Sequence, residues 1–137
     1  MSLAVPRNTL LVGDALDRLR GLPDGSIDTA LTSPPYFRLR DYAADGQLGL
    51  EPHVDDWIDR LVEISAEVHR VLVPTGTFWL NLGDTYATHQ SQGAARKSLI
   101  MAPERLALRL QQSGWIIRNK IVWAKPNPKP TSIKDWL

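Results

Sequence analysis

Ser33-Pro34-Pro35-Tyr36 follows directly on an apolar run, Ile27–Thr32, and sets a hydroxyl, two prolines and an aromatic ring in four consecutive positions. Neither proline can donate a backbone hydrogen bond, so a strand ladder cannot continue through them. Each fixes its own backbone angle and biases the residue before it toward extended conformations. The Ser33 hydroxyl and the Pro34 carbonyl are therefore expected to stand open together. Such a pair can accept two hydrogen bonds from one NH₂ group, and Tyr36 offers a ring for stacking on a planar base. The exocyclic amine of a nucleobase is a poor nucleophile, because its lone pair is delocalised into the ring. Two acceptors gripping its hydrogens favour a pyramidal nitrogen and return electron density to it, so that it can attack an electrophilic methyl group. A base inside a duplex must first be flipped out, at a cost of a few kcal/mol. Stacking on Tyr36 would offset part of that cost. The plainer alternative is a corner that only ends a strand.

Two further polar corners follow apolar runs, "GDAL" at Gly13–Leu16 and "NLGD" at Asn81–Asp84. Asp14 could accept a hydrogen bond from the amino group of a bound adenine moiety, with Ala15 and Leu16 packing on the ring. Asp is also a strong helix N-cap, and the residue alone favours that use.

The elements that would position these corners are legible from periodicity. Thr9–Val12, Ile27–Thr32, Thr77–Leu82 and Trp115–Trp123 are predicted strands. A short helix runs through Ala15, Leu16 and Leu19. A longer one opens at Pro52, with Val54, Trp57, Ile58, Leu61, Val62, Ser65, Val68 and Leu72 at helical spacing. Pro74-Thr75-Gly76 is its predicted stop. Another opens at Pro103 and closes at Ser113-Gly114. Phe37–Pro52 is a long polar loop, and Gly83–Lys97 is expected to be mobile. Strand and helix alternate, so the fold class is α/β with a mostly parallel sheet and flanking helices. Ligands of such sheets bind beyond the carboxyl ends of the strands, where all three corners would converge.

A chain of 137 residues is enough for one domain. No apolar run approaches a membrane span and no secretory pattern opens the chain. The absence of cysteine excludes disulfides and thiolate metal sites, and His53, His69 and His89 show no metal-ligand spacing. No metal, no membrane and a cytoplasmic location are the expectations. The net charge of +1 conceals a split: residues 1–90 carry seven Lys/Arg against thirteen Asp/Glu, and residues 91–137 carry nine against two. A basic last third suggests a polyanionic partner, nucleic acid first, with a solvated basic face as the alternative. Arg38, Arg40 and Asp41 could contact phosphate or be solvated. Trp57, Trp79, Trp115 and Trp123 are expected in the core.

The succession "GDALDRLRGLPDGSIDTALTSPPY", "GQLGLE", "EVHRVLVPTGTFWLNLGDTY" and "APERLALRLQQSGWIIRNKIVWAKPNPKP" resembles the DNA amino-methyltransferases, which methylate the exocyclic nitrogen of cytosine or adenine. The resemblance implies a partial Rossmann-like methyltransferase fold, S-adenosylmethionine as cofactor and double-stranded DNA as partner. It implies that Ser33, Pro34, Pro35 and Tyr36 form the catalytic loop, and that Asp14 and Ala15 contact the cofactor's adenine. Asp84, Lys125 and Asn127 would lie near the target base. A serine at the head of the tetrapeptide favours N4-cytosine, with N6-adenine as the alternative.

The family's Gly-rich cofactor turn, Phe-x-Gly-x-Gly, has no counterpart among these residues. Residues 1–137 are therefore expected to form a single, incomplete catalytic domain with a basic, proline-rich tail at 124–137. Its sheet would have an exposed edge, suited to a homodimer or a complementing chain. Two other readings are a non-catalytic DNA-binding remnant and a polyproline ligand at "PNPKP".

Overall fold

The structure is a computed structural model and describes residues 7–128. The element order is α1 (Ala15–Arg20), β1 (Ile27–Thr32), α2 (Val54–Val71), β2 (Leu72–Leu80) and α3 (Ala102–Gln112), with a 3₁₀ turn at Gln90–Gln92. Helix α1 begins where Asp14 Oδ1 accepts from the main-chain N–H groups of Leu16 (3.0 Å) and Asp17 (3.2 Å). Six residues with none buried are too few to hold a helix unaided. The Arg70 guanidinium from α2 supplies the anchor, donating to the carbonyls of Leu19 (2.8 Å) and Leu22 (2.9 Å) and to the Asp24 carboxylate.

Helix α2 starts at His53, whose Nδ1 accepts from Asp55 N (3.1 Å), one residue after the proline that marked its start in the sequence. It buries Val54, Trp57, Ile58, Leu61, Ser65, Val68 and Val71, the face its periodicity predicted. A helical crossover returns the chain parallel to its first strand, and β1 and β2 form a two-stranded parallel sheet. Thr29 pairs with Thr77, Ala30 with Phe78, Leu31 with Trp79 and Thr32 with Leu80. The turn expected at Pro74-Thr75-Gly76 lies instead inside β2. The register slips between Ile27↔Leu72 and Thr29↔Thr77, so Val73–Gly76 bulge from the ladder. A side chain at Gly76 would meet the Val73 carbonyl at 2.9 Å and the Asp28 carbonyl at 3.1 Å.

The core lies between α2, α3 and the segments that follow the two strands. It comprises Phe37, Val54, Trp57, Ile58, Leu61, Ala87, Ile100, Ala102, Leu106 and Leu110. The opposite sheet face is open. Leu31 is 77% and Trp79 50% exposed, although parallel sheets are ordinarily covered on both faces. Trp79 therefore does not pack in the core as expected, and neither does Trp123. The outer edges of β1 and β2 are unpaired among the described residues.

Two expected strands belong to no ladder. Along Thr9–Val12 and Trp115–Trp123, the side chains of Leu10, Val12, Ile116, Ile121, Val122 and Trp123 are 73–85% exposed. Apolar content makes a strand only where a neighbour accepts it in register. The second segment is drawn along α3 instead. Trp115 N donates to Leu110 O (3.0 Å), the Trp115 ring packs 5.2 Å from that of Phe78, and Lys120 pairs with Glu104. The hydrogen bond from Lys120 holds the Glu104 carboxyl below its usual range. Most of the proline-rich tail lies outside the described residues. No helix among those described is long and apolar enough to cross a membrane.

Candidate active site

Because β1 and β2 are parallel and end level, the residues that leave them, Ser33 and Asn81, emerge side by side. Asn81 N continues the ladder by one bond, to Thr32 O at 3.0 Å. Its side-chain amide then reaches across the corner. Asn81 Nδ2 donates to Ser33 Oγ (3.3 Å) and to Tyr36 Oη (3.2 Å), and Ser33 Oγ donates to Tyr36 Oη (3.4 Å). This closed ring directs the Ser33 hydrogen inward and leaves a lone pair of Ser33 Oγ facing out. The Pro34 carbonyl receives no hydrogen bond among the described residues, so two acceptors stand open together.

The backbone behind them is fixed on several sides. Trp57 Nε1, from the buried face of α2, donates to the Pro35 carbonyl at 3.0 Å. Phe37 is fully buried, its ring 6.2 Å from that of Trp57, and Thr85 Oγ1 donates to the Phe37 carbonyl at 2.9 Å. The Tyr36 ring lies against Gly83, where a Cβ would sit 2.8 Å from Tyr36 Cε2. Gly49 (φ +95°) approaches from the other side, and a Cβ there would meet the Tyr36 carbonyl at 2.7 Å. Two glycines thus give the tyrosine its place, and the prolines alone would not.

Asp84 is wholly committed to the main chain. Its Oδ1 accepts from Thr85 N (2.9 Å) and Ala102 N (3.0 Å), and its Oδ2 accepts from Met101 N (2.8 Å). Met101, the residue before α3, has a left-handed φ of 60° and no side chain that can cap. Asp84 caps the helix in its place, from another segment, and so fixes α3 to the corner. Lys125 lies over the Trp123 ring, 5.9 Å from its centroid, and Asn127 is exposed; no hydrogen bond joins either to the corner. Arg38, although exposed, donates Nη1 to the carbonyls of Leu50 (3.2 Å) and Glu51 (3.4 Å).

The stretch expected to be mobile is hydrogen-bonded. Ala87 N donates to Ser98 O (2.8 Å), Lys97 N to Ala87 O (2.7 Å) and Ile100 N to Thr85 O (2.9 Å), making a short antiparallel hairpin. Inside it, the buried Gln92 Oε1 accepts from Thr88 N at 2.8 Å. Sequence reasoning placed Asn81 in a converging corner without giving it a role, and missed Trp57 as part of the site. A signal for Asn81 existed: with strands ending at Thr32 and Leu80 in parallel, the next residue of each must meet.

A parallel α/β unit with its polar corner beyond the strand ends is the architecture of the S-adenosylmethionine-dependent methyltransferases. In keeping with this, the chain superposes on a solved structure titled PvuII DNA methyltransferase (cytosine-N4-specific) with a TM-score of 0.53 and 26% identity, over 74% of this chain and 32% of that one. Residues 27–137 match the DNA methylase family model, and the chain belongs to that family. It is 50% identical to the Type II methyltransferase M.SfiI of Streptomyces fimbriatus over 98% of its own length and 34% of the relative's. With M.Cfr9I of Citrobacter freundii it shares 43% identity, over 93% of this chain and 49% of that one. The chain thus spans a third to a half of the length of these relatives.

The family implies S-adenosylmethionine. The residues here fit one end of it: Asp14 uses Oδ1 for the cap and keeps Oδ2 uncommitted and exposed, beside the exposed Ala15. Both are thus open to an adenine, and the chain contains no glycine-rich turn to receive the rest of the molecule.

Proposed function

We propose that this chain is the base-holding part of a DNA methyltransferase that methylates the exocyclic amine of a flipped base, N4 of cytosine before N6 of adenine. The observation that carries the proposal is the pair of open acceptors, Ser33 Oγ and the Pro34 carbonyl, beside the ring of Asn81, Ser33 and Tyr36. In this reading Ser33 and Pro34 accept the two amine hydrogens, and Pro35 fixes the turn through Trp57. Tyr36 stacks on the extruded base. The amine nitrogen, held pyramidal, would take the methyl group as the donor's carbon–sulfur bond breaks to leave a neutral thioether, and would give up its proton to solvent. Asp14 and Ala15 receive the adenine of S-adenosylmethionine, which supplies the methyl group. Asp84 acts on the target region through the helix it caps, and Lys125 and Asn127 belong to a segment that approaches the base only when DNA is bound.

The serine and the cytosine-N4 title of the solved relative both support cytosine. The open sheet face and unpaired edges support a second polypeptide, either another copy or a chain that carries the Gly-rich turn. The experiment is methyl transfer from labelled S-adenosylmethionine to duplex DNA, with the 137-residue chain alone and with a polypeptide bearing that turn. Label in N4-methylcytosine only in the mixture is the expected result. Label in N6-methyladenine would reassign the base, and no label in either preparation would defeat the proposal.

A further inference from the structure

Three of the nine cations in the last third are consumed within the fold. Arg109 pairs with Asp59 (2.6 Å), Lys120 with Glu104, and Arg105 donates to the Gly93 carbonyl (2.7 Å). Arg96, like Arg118, is exposed and makes no hydrogen bond or ion pair among the described residues. It stands next to Lys97 on the hairpin that begins at Thr85 and ends at Ile100, and no Asp or Glu occurs from Thr85 to Pro103.

That hairpin is built onto the catalytic corner. Thr85 holds the Phe37 carbonyl, one residue past Tyr36, and Asp84 holds the first residues of α3 where the hairpin ends. Gly93 (φ +106°) presses it against the start of α2, where a Cβ would lie 2.7 Å from Val54 Cγ1. Ala87, whose carbonyl accepts from Lys97 N, is two residues from Thr85, or about 7 Å at strand spacing. A basic stretch with no acidic residue in its own sequence is therefore tied by hydrogen bonds to the segment that follows Tyr36.

We propose that this hairpin grips the sugar–phosphate backbone beside the flipped nucleotide, with Arg96 on a phosphate. The inference rests on the reading of the corner as a base holder, and adds to it the surface that sets DNA in register. Phosphate contacts position a protein without reading sequence. Arg96 should thus contribute equally on all duplexes, and chiefly at low salt.

The test is the salt dependence of binding of the full 137-residue chain to labelled duplexes of unrelated sequence, by fluorescence anisotropy. Each phosphate contact adds about 0.9 to the slope of log K against log salt. Between 50 and 200 mM salt, the wild-type chain should lose about 3.5-fold more affinity than Arg96→Ala. Arg109→Ala, a cation already paired with Asp59, should keep the wild-type slope. Arg96→Glu, whose melting temperature should match wild type because the site is exposed, should bind more weakly still. Wild-type binding with an unchanged slope in Arg96→Ala would overturn the hairpin's role and leave the base-holding reading intact. A wild-type chain without affinity for any duplex would overturn both.

Discussion

Replacement of Trp57 by alanine is expected to cost about 3–5 kcal/mol of stability, the usual range for emptying a buried aromatic site. The side chain is fully buried, touches Phe37 and spans the core from α2 to the corner. Ordinary domains have only about 5–15 kcal/mol in total, so the variant should lose a large share of its stability. The more informative variant is Trp57→Phe. It keeps much of the apolar bulk and removes the Nε1 donor to the Pro35 carbonyl. One such bond contributes about 1 kcal/mol, so the fold should survive while the Pro35–Tyr36 peptide loses its fixed orientation. Equilibrium urea denaturation, read beside base binding, separates the two effects. A Trp57→Phe chain with wild-type stability and wild-type base preference would mean that the indole does not hold the corner.

Asp84→Ala is the second large effect. Three main-chain donors lose their acceptor at once, two of them at the N-terminus of α3, where a carboxylate also complements the helix dipole. Loss of a single helix cap costs about 1 kcal/mol and up to about 2, and the Thr85 turn adds to it. A total of about 2–3 kcal/mol is expected. Asp84→Asn keeps one carbonyl oxygen and should lose about half as much. Because Asp84 joins the end of the "NLGD" corner to α3, base binding should weaken in parallel with stability across the two variants. Base binding abolished in Asp84→Asn at unchanged stability would instead assign Asp84 to the target base directly.

These two residues show where sequence reasoning reaches and where it stops. The pieces governed by local rules were legible: the apolar face of α2, the strand ended by two prolines, the proline-opened α3 and the cap at Asp14. Each depends on residues within a few positions of one another. Asn81 meets Ser33 from 48 positions away, through the pairing register of β1 and β2. Asp84 caps a helix 17 positions on, because Met101 supplies no cap. Neither arrangement leaves a local pattern.

The opposite error occurred at Thr9–Val12 and Trp115–Trp123, where strand-like composition met no neighbour to pair with. The excess of cations in the last third was real, but Arg105, Arg109 and Lys120 face acids or carbonyls that only the packing of α3 brings near.

The central claim is that Ser33 and the Pro34 carbonyl hold an exocyclic amine. Cytosine and uracil differ at that position, an amine that donates against a carbonyl that accepts. The direct measurement is therefore the affinity of the chain for single-stranded oligo-dC against oligo-dU of equal length, for the wild type and Ser33→Ala. Tighter binding of oligo-dC by the wild type is expected, with most of that preference lost in Ser33→Ala and stability unchanged, since Ser33 is exposed. Equal affinity of the wild-type chain for the two oligonucleotides would contradict the account.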